Sequence, residues 1–320
     1  MLTWRWFAAR IGGAVITLLG VTVVVFVVLR AIPGNAITAS LGIESGTLTP
    51  IQRASLNHFY GIDKPWYEQL WTWISGILHG DLGLSLTSGK PVSGLIWSAM
   101  PVTIELAVVS ALIGTVVGVL LGVLAGSRAG KVSDSATQGF SLLGLAIPEF
   151  VLGTAVVAIL AQAFHYFPDT GTFIPLTSSL SGNLSQILYP SLVLSVAFAA
   201  NVMSTTRSEY VEVADADYVR TARGKGLHPH RIRVAHILRN ATIPIVTLTG
   251  IQFGYLLGGT VIIEQIFALP GMGRLLFTSI SNRDYPVVQG TVLVIAALFV
   301  VVNLLVDLLY RVLDPRTRVS

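Results

Sequence analysis

Side chains that can do chemistry are sparse in this sequence, and most of them gather in one stretch. From Arg207 to Asn240 it reads RSEYVEVADADYVRTARGKGLHPHRIRVAHILRN, with seven Arg or Lys, four acidic residues and three His between long uncharged apolar runs. Such a stretch can form ion pairs and hydrogen bonds at an aqueous surface, but it cannot sit in lipid. Elsewhere, His58, His79 and His165 are scattered, and with His228, His230 and His236 they make no metal-ligand cluster. The absence of cysteine excludes disulfides, thiolate metal sites and cysteine nucleophiles. The pair Gly130 and Lys131 has Ala125 and Val132 where a phosphate-binding loop needs Gly and Ser or Thr, and Gly89 and Lys90 are followed by Pro91. No nucleotide site is found. One carboxylate, Glu149, falls inside an apolar run beside Pro148, and no second catalytic group matches it in depth.

The elements that must position these residues follow from composition. Of 320 residues 53% are hydrophobic and 11% charged, with a mean hydropathy of +0.74. A soluble core does not use that much apolar surface, so the chain belongs in a membrane. A net charge of +4 hints at nucleic acid, yet the basic residues cluster at expected membrane edges, and topology explains them. Six segments are expected to cross: about 11–29, 101–126, 137–164, 187–206, 241–263 and 287–309. Each is long enough, at about 1.5 Å per residue, for a hydrocarbon core of roughly 30 Å. The first follows Arg5 and Arg10 as a signal peptide would. Its apolar run is longer than a signal core and shows no small-residue cleavage site, so it reads as an uncleaved span.

The chain therefore divides into an amino-terminal transmembrane helix (1–30), an external segment (31–100) and a five-helix core (101–320) that carries the polar loop at 207–240. In the external segment Trp66, Leu70, Trp73, Ile74 and Ile77 recur at helical spacing and predict an amphipathic interfacial helix. Gly114, Gly118, Gly122 and Gly126 share one face of the second span, and Gly250, Gly254 and Gly258 one face of the fifth; each series admits a closely packed neighbour. In the third span Pro148 is expected to open or kink the helix, and Glu149 must face other helices or water. Two readings of Glu149 stand: a pathway residue that touches solute, or a partner for hydroxyls and freed amides at the kink. The fourth span is the least apolar, with Ser191, Ser195, Asn201, Ser204 and Thr205, and is the expected wall of a polar path lined by Asn201 and Ser204. Arg5, Arg10, Arg128, Lys131, the seven cations of the polar loop, and Arg311, Arg316 and Arg318 all fall on one side. The excess of positive charge makes that side cytoplasmic, with both termini there.

Within 207–240 the pattern is helical on both sides of a break. Residues 209–223 hold no proline, Gly224 and Gly226 supply freedom for a turn, and Pro229 is placed to start a second helix reaching about Asn240. The run DYVRTARGKGL followed by HILRNATIPIV resembles the cytoplasmic loop of the membrane-spanning subunits of ATP-binding-cassette (ABC) importers, in their dipeptide, oligopeptide and nickel branch. Gly226 matches the glycine that ends the EAA motif of that loop. Arg220, Thr221 and Ala222 stand where Glu-Ala-Ala would, and Pro244 lies further downstream than in the sugar branch; both departures are usual in the peptide branch. The resemblance extends through VLRAIPGNAI, where Pro33, Gly34, Asn35 and Ala36 replace the usual PGDP, through YGIDKPWYEQLWTWISGILHGDLGLSL and EQIFALPGMGRLLFTSISNRDYPVVQG, to DLLYRVLDPRTR at the end.

The resemblance implies an all-α membrane protein with six transmembrane helices in the type I ABC importer permease (MetI-like) fold, multi-pass in a bacterial or archaeal plasma (inner) membrane. It implies a non-enzymatic subunit without a cofactor of its own, ATP and Mg being held by partner ATPase subunits. The implied partners are a homologous second permease, two ABC ATPases, an external solute-binding protein and the lipid bilayer, with no nucleic acid. Coupling to the ATPases falls on Arg220, Ala222, Arg223, Lys225 and Gly226, with Leu227 as an apolar contact. Di- or oligopeptides are the expected cargo, with nickel chelates and glutathione as alternatives. A self-sufficient secondary transporter using Glu149 as proton carrier is a different class of reading; the single mid-span carboxylate and the absence of visible inverted repeats stand against it. A membrane-embedded enzyme lacks the paired catalytic residues it would need.

Overall fold

A computed structural model describes residues 4–31, 49–59, 61, 63–168 and 172–313. The PGNA residues at 33–36 and the DPR residues at 314–316 lie outside the described residues. The helices are α1 (Trp4–Ala31), α2 (Pro50–Phe59), α3 (Trp66–Leu78), α4 (Val92–Gly126), α5 (Val132–Ala146), α6 (Glu149–Phe164), α7 (Leu180–Ala214), α8 (Asp217–Gly224), α9 (Pro229–Ile266), α10 (Met272–Ser281) and α11 (Tyr285–Leu313). Valine and isoleucine abound in these segments without turning them to strand. Lipid offers no hydrogen-bond partner, so each crossing segment must satisfy its own backbone. Pro101, Pro190 and Pro244 sit inside α4, α7 and α9 without ending them.

Among the described residues five helices, α1, α4, α7, α9 and α11, are long and apolar enough to cross a membrane, and α5 with α6 makes a sixth if a pair bent by 95° is taken as one span. The crossing helices outrun the apolar segments that announce them: α4 starts at Val92, α7 covers Leu180–Ala214, and α9 starts at Pro229. Hydropathy marks only what lipid touches, whereas helical hydrogen bonding continues into headgroups and water. The 35 residues of α4 extend roughly 50 Å, well beyond the hydrocarbon layer.

Two compact units divide the chain. One comprises Leu2–Thr103 and Pro270–Val300. In it the face of α3 formed by Leu70, Trp73, Ile74 and Ile77 is half-buried, with Trp73 stacked on Phe26 of α1 at 6.2 Å between ring centres, while Trp66 of the expected face is exposed beside Tyr67 and Trp71. Val92, Ile96, Ala99, Met272 and Val287 form its core. The buried Asp284 carboxylate accepts hydrogen bonds from Ser85 Oγ at 2.5 Å and from the Leu86 and Thr87 amides at 3.1 and 3.3 Å. That ties the turn before α4 to the start of α11.

The other unit comprises Ile104–Leu269 and Val301–Ser320. Its spine is the α4–α7 pair. A Cβ added to Gly114, Gly118, Gly122 or Gly126 would lie 2.7, 2.7, 2.5 or 2.8 Å from Phe198, Val202, Thr206 or Tyr210 respectively. Each helix thus contributes a series spaced by four, and the backbones meet along that line. The series in α9 behaves differently: Gly250 lies against Val306 of α11, but a Cβ on Gly258 would meet nothing within 4 Å.

Candidate functional site

The polar loop is built from the end of α7 to the start of α9. Helix α7 runs on to Ala214, past the last apolar residues of its span, and α8 follows after Asp215 and Ala216. Gly226 then takes a left-handed φ of +74°, and Pro229 begins α9, where its missing amide costs nothing. The second loop helix is therefore the first part of the fifth span rather than a separate piece. Its residues Ile232–Leu238 are π-helical. Bonding from i to i+5 puts residues five apart on a common face, and Ile232 and Ile237 are the two that bury there.

Those two isoleucines meet Val219 and Ala222 of α8 and Tyr210 of α7 in a small apolar core, with Leu227 packed on its edge. The six residues assigned to coupling consequently separate into two groups. Arg220 (side chain 69% exposed), Arg223, Lys225 and Gly226 face solvent, whereas Ala222 is 6% exposed and Leu227 half-buried, both turned into the loop's own core. Tyr218 closes the loop from outside: its hydroxyl accepts a hydrogen bond from Asn240 Nδ2 at 3.0 Å, and the same amide donates to His236 O at 2.8 Å. The exposed Asp217–Arg220 pair, at 3.7 Å, contributes little.

Below the loop, Arg207 of α7 meets Asp134 of α5 through Nε to Oδ1 at 2.6 Å and Nη2 to Oδ2 at 2.8 Å. Sequence reading missed this pair, since nothing local links residues 73 apart. It also missed Glu264, wholly buried in α9 within the stretch that resembles the importer family.

The break between α5 and α6 puts Glu149 at the first turn of α6, after Ile147 and Pro148 in extended conformation. Gly259 of α9 lies opposite: a Cβ there would be 3.0 Å from Glu149 Oε2. The kink was expected from Pro148, and the carboxylate is half-buried among helices as its cost in lipid requires. Among the described residues it takes no hydrogen bond, from hydroxyl or freed amide, at the bend. On α7 Ser191 and Ser195 are buried, Asn201 is half-buried with Nδ2 donating to Ala197 O at 3.1 Å, and Ser204 is exposed. Asn201 and Ser204 share a helix face, and neither hydrogen-bonds Glu149.

Residues 118–319 match the family described as binding-protein-dependent transport system inner membrane component, and residues 3–107 match the amino-terminal region of such membrane components. The chain is 37% identical over 331 residues to the dipeptide transport system permease protein of Escherichia coli strain K12, covering 97% of each. It is 35% identical over 310 residues to the glutathione transport system permease protein of Escherichia coli O6:H1, again covering 97% of each. A solved MetNI methionine ABC transporter in inward-facing conformations matches with a TM-score of 0.52 at 18% identity, over 69% of this chain and 96% of that one, a likeness of fold. With its apolar helices and two family matches that together take in most of its length, the chain belongs to the family of binding-protein-dependent transport system inner membrane components.

Proposed function

We propose that this chain is the membrane-spanning subunit of an ATP-driven importer of di- or oligopeptides and forms half of its translocation path. The observation that carries the reading is the polar loop: an element held by an apolar core that it shares with the end of α7 and the start of α9, and presenting Arg220, Arg223, Lys225 and the Gly226 backbone outward. Such an element transmits force without doing chemistry. Lodged in a cleft of a cytoplasmic ATPase, it turns closure of the ATPase pair into movement of α7 and α9. Ala222 and Leu227 serve by keeping the loop stiff. The positive-inside bias supports a cytoplasmic loop and cytoplasmic termini.

ATP and Mg are bound by the partner ATPases, and this chain is non-catalytic. A homologous second permease supplies the other half of the path, and an external binding protein delivers cargo. Peptide is favoured as cargo because full-length relatives carry the names of dipeptide and glutathione permeases. Glu149, Asn201 and Ser204 are assigned to the path. Affinity purification from the native membrane in mild detergent tests the whole reading. Recovery of a second six-span permease with two ATPases supports it; a chain that comes out alone or as a homodimer and still transports refutes it.

A further inference from the structure

Helices α5 and α6 meet at a bend of 95°, and the two halves of the pair have different supports. Helix α5 lies antiparallel along α7 in register: Asp134 meets Arg207, Ser141 Oγ donates to Ala200 O at 2.9 Å, and a Cβ on Gly144 would be 3.2 Å from the Ala200 Cβ. Helix α6 touches α7 too, but it also packs on α9, with Gly153 against Ile263 and Ile266 and Glu149 against Gly259. The polar loop joins α7 to α9. A change in the relation of those two helices therefore strains the α5–α6 pair at its bend, Ile147 and Pro148.

The Asp134 carboxylate is saturated. Oδ1 accepts from Arg207 Nε at 2.6 Å and Gln138 Nε2 at 2.9 Å; Oδ2 accepts from Arg207 Nη2 at 2.8 Å and the Gly130 amide at 2.9 Å. Asp134 is 2% exposed. A two-pronged guanidinium–carboxylate contact fixes orientation as well as distance, which a point charge does not. Arg207 itself sits between Thr206, seated on Gly122, and Tyr210, seated on Gly126 and in the core of the loop.

We propose that Asp134 and Arg207 are positioning residues for transport: their pair fastens α5 to α7 at the loop end, so that α5 travels with α7 and the Ile147–Pro148 bend, beside Glu149, takes up movement of α7 against α9. This rests on the coupling reading of the 207–240 loop. A pair that merely stabilises the fold would change how much protein assembles, not how ATP hydrolysis converts into transport.

The chain has no cysteine, so Gly144→Cys with Ala200→Cys adds one pair, whose Cβ atoms at 3.2 Å need open by only a few tenths of an ångström to reach disulfide spacing. The assay uses the importer assembled with its partner subunits and binding protein in liposomes. Because α5 and α7 move together, transport after oxidation is expected to stay within about twofold of the reduced protein; a block on oxidation that reduction relieves would overturn the proposal. In Asp134→Asn, solute moved per ATP hydrolysed is expected to fall about tenfold while hydrolysis continues, with Asp134→Asn keeping the ATPases bound. A normal ratio, or transport and hydrolysis falling in proportion, counts against it. Should that variant fail to assemble, Arg207→Lys, which keeps the charge and loses the two-pronged contact, takes its place: the same fall per ATP is expected, and a normal ratio overturns the proposal. Failure of the unmutated chain to retain any ATPase would instead refute the coupling reading.

Discussion

Gly122 of α4 and Thr206 of α7 approach so closely that a Cβ on the glycine would lie 2.5 Å from the threonine Cβ and 2.7 Å from the Met203 carbonyl oxygen. Backbone stands in the way on one side, so no side-chain rotation makes room. Gly122→Val is expected to pry α4 from α7 at a cost of about 1–3 kcal/mol or more, as overpacking does. A thermal-shift measurement on the solubilised complex reads this as a lowered midpoint. Gly258→Ala, in open space, is the matched control and is expected to hold or slightly raise stability.

Gly226 isolates the turn of the polar loop from its charges. At φ +74° any side chain adds about 1 kcal/mol or more of backbone strain, although open space surrounds the position. Gly226→Asp is expected to insert in the membrane and yet uncouple transport from ATP hydrolysis. Gly224→Ala, which needs no left-handed φ and meets nothing within 4 Å, should leave both unchanged. Transport at the normal rate in Gly226→Asp defeats the assignment.

Ala222 and Arg223 are sequence neighbours with opposite surroundings, one in the core of the loop and one in water. Ala222→Glu places a carboxylate among Val219, Ile232 and Ile237 and is expected to unfold the loop, showing as rapid proteolysis between α7 and α9. Arg223→Glu should leave folding within about 0.5 kcal/mol, as exposed substitutions do, while weakening retention of the ATPases in pull-downs. Equal retention by Arg223→Glu and the native chain would remove Arg223 from the contact.

Spans were legible because lipid imposes one rule on every residue in them, and the α4 glycine series because close packing needs the same residue type every fourth position. The helix break at Gly224–Gly226 was legible for the same local reason. Less was written in the rest. A proline announces a kink, but the 95° between α5 and α6 comes from what each half packs on, namely α7 for one and α7 with α9 for the other. The five-residue spacing of Ile232 and Ile237 marks the π-helical stretch only once both are known to be buried. Arg207 reads as one more charge of the polar loop, Asp134 falls between two expected spans, and nothing in either neighbourhood names the other. On the expected apolar face of α3, Trp73 packs on Phe26, whereas Trp66 is exposed at its edge.

Two roles make different demands on Glu149: the path assignment, and a place at a helix end that stands in for the hydroxyl and amide partners it lacks among the described residues. As the first residue of α6 it suits the positive end of the helix dipole, a contribution of about 0.3–1 kcal/mol. As a path residue it presents a half-buried carboxylate, without a hydrogen bond among the described residues, to passing solute. Glu149→Gln keeps size and polarity and removes the charge. The dipole role predicts a small drop in thermal stability with transport kinetics intact; the path role predicts reduced transport with assembly and ATPase retention unchanged, and it is the outcome expected. Gly259→Ala provides a second route to the same atom without altering any charge. Its Cβ would sit 3.0 Å from Oε2, so the carboxylate must give by a few tenths of an ångström and has less room to meet solute. A small shift leaves the helix end served but narrows the approach on the path, so Gly259→Ala should slow transport as well. Normal transport in both variants would take Glu149 off the path.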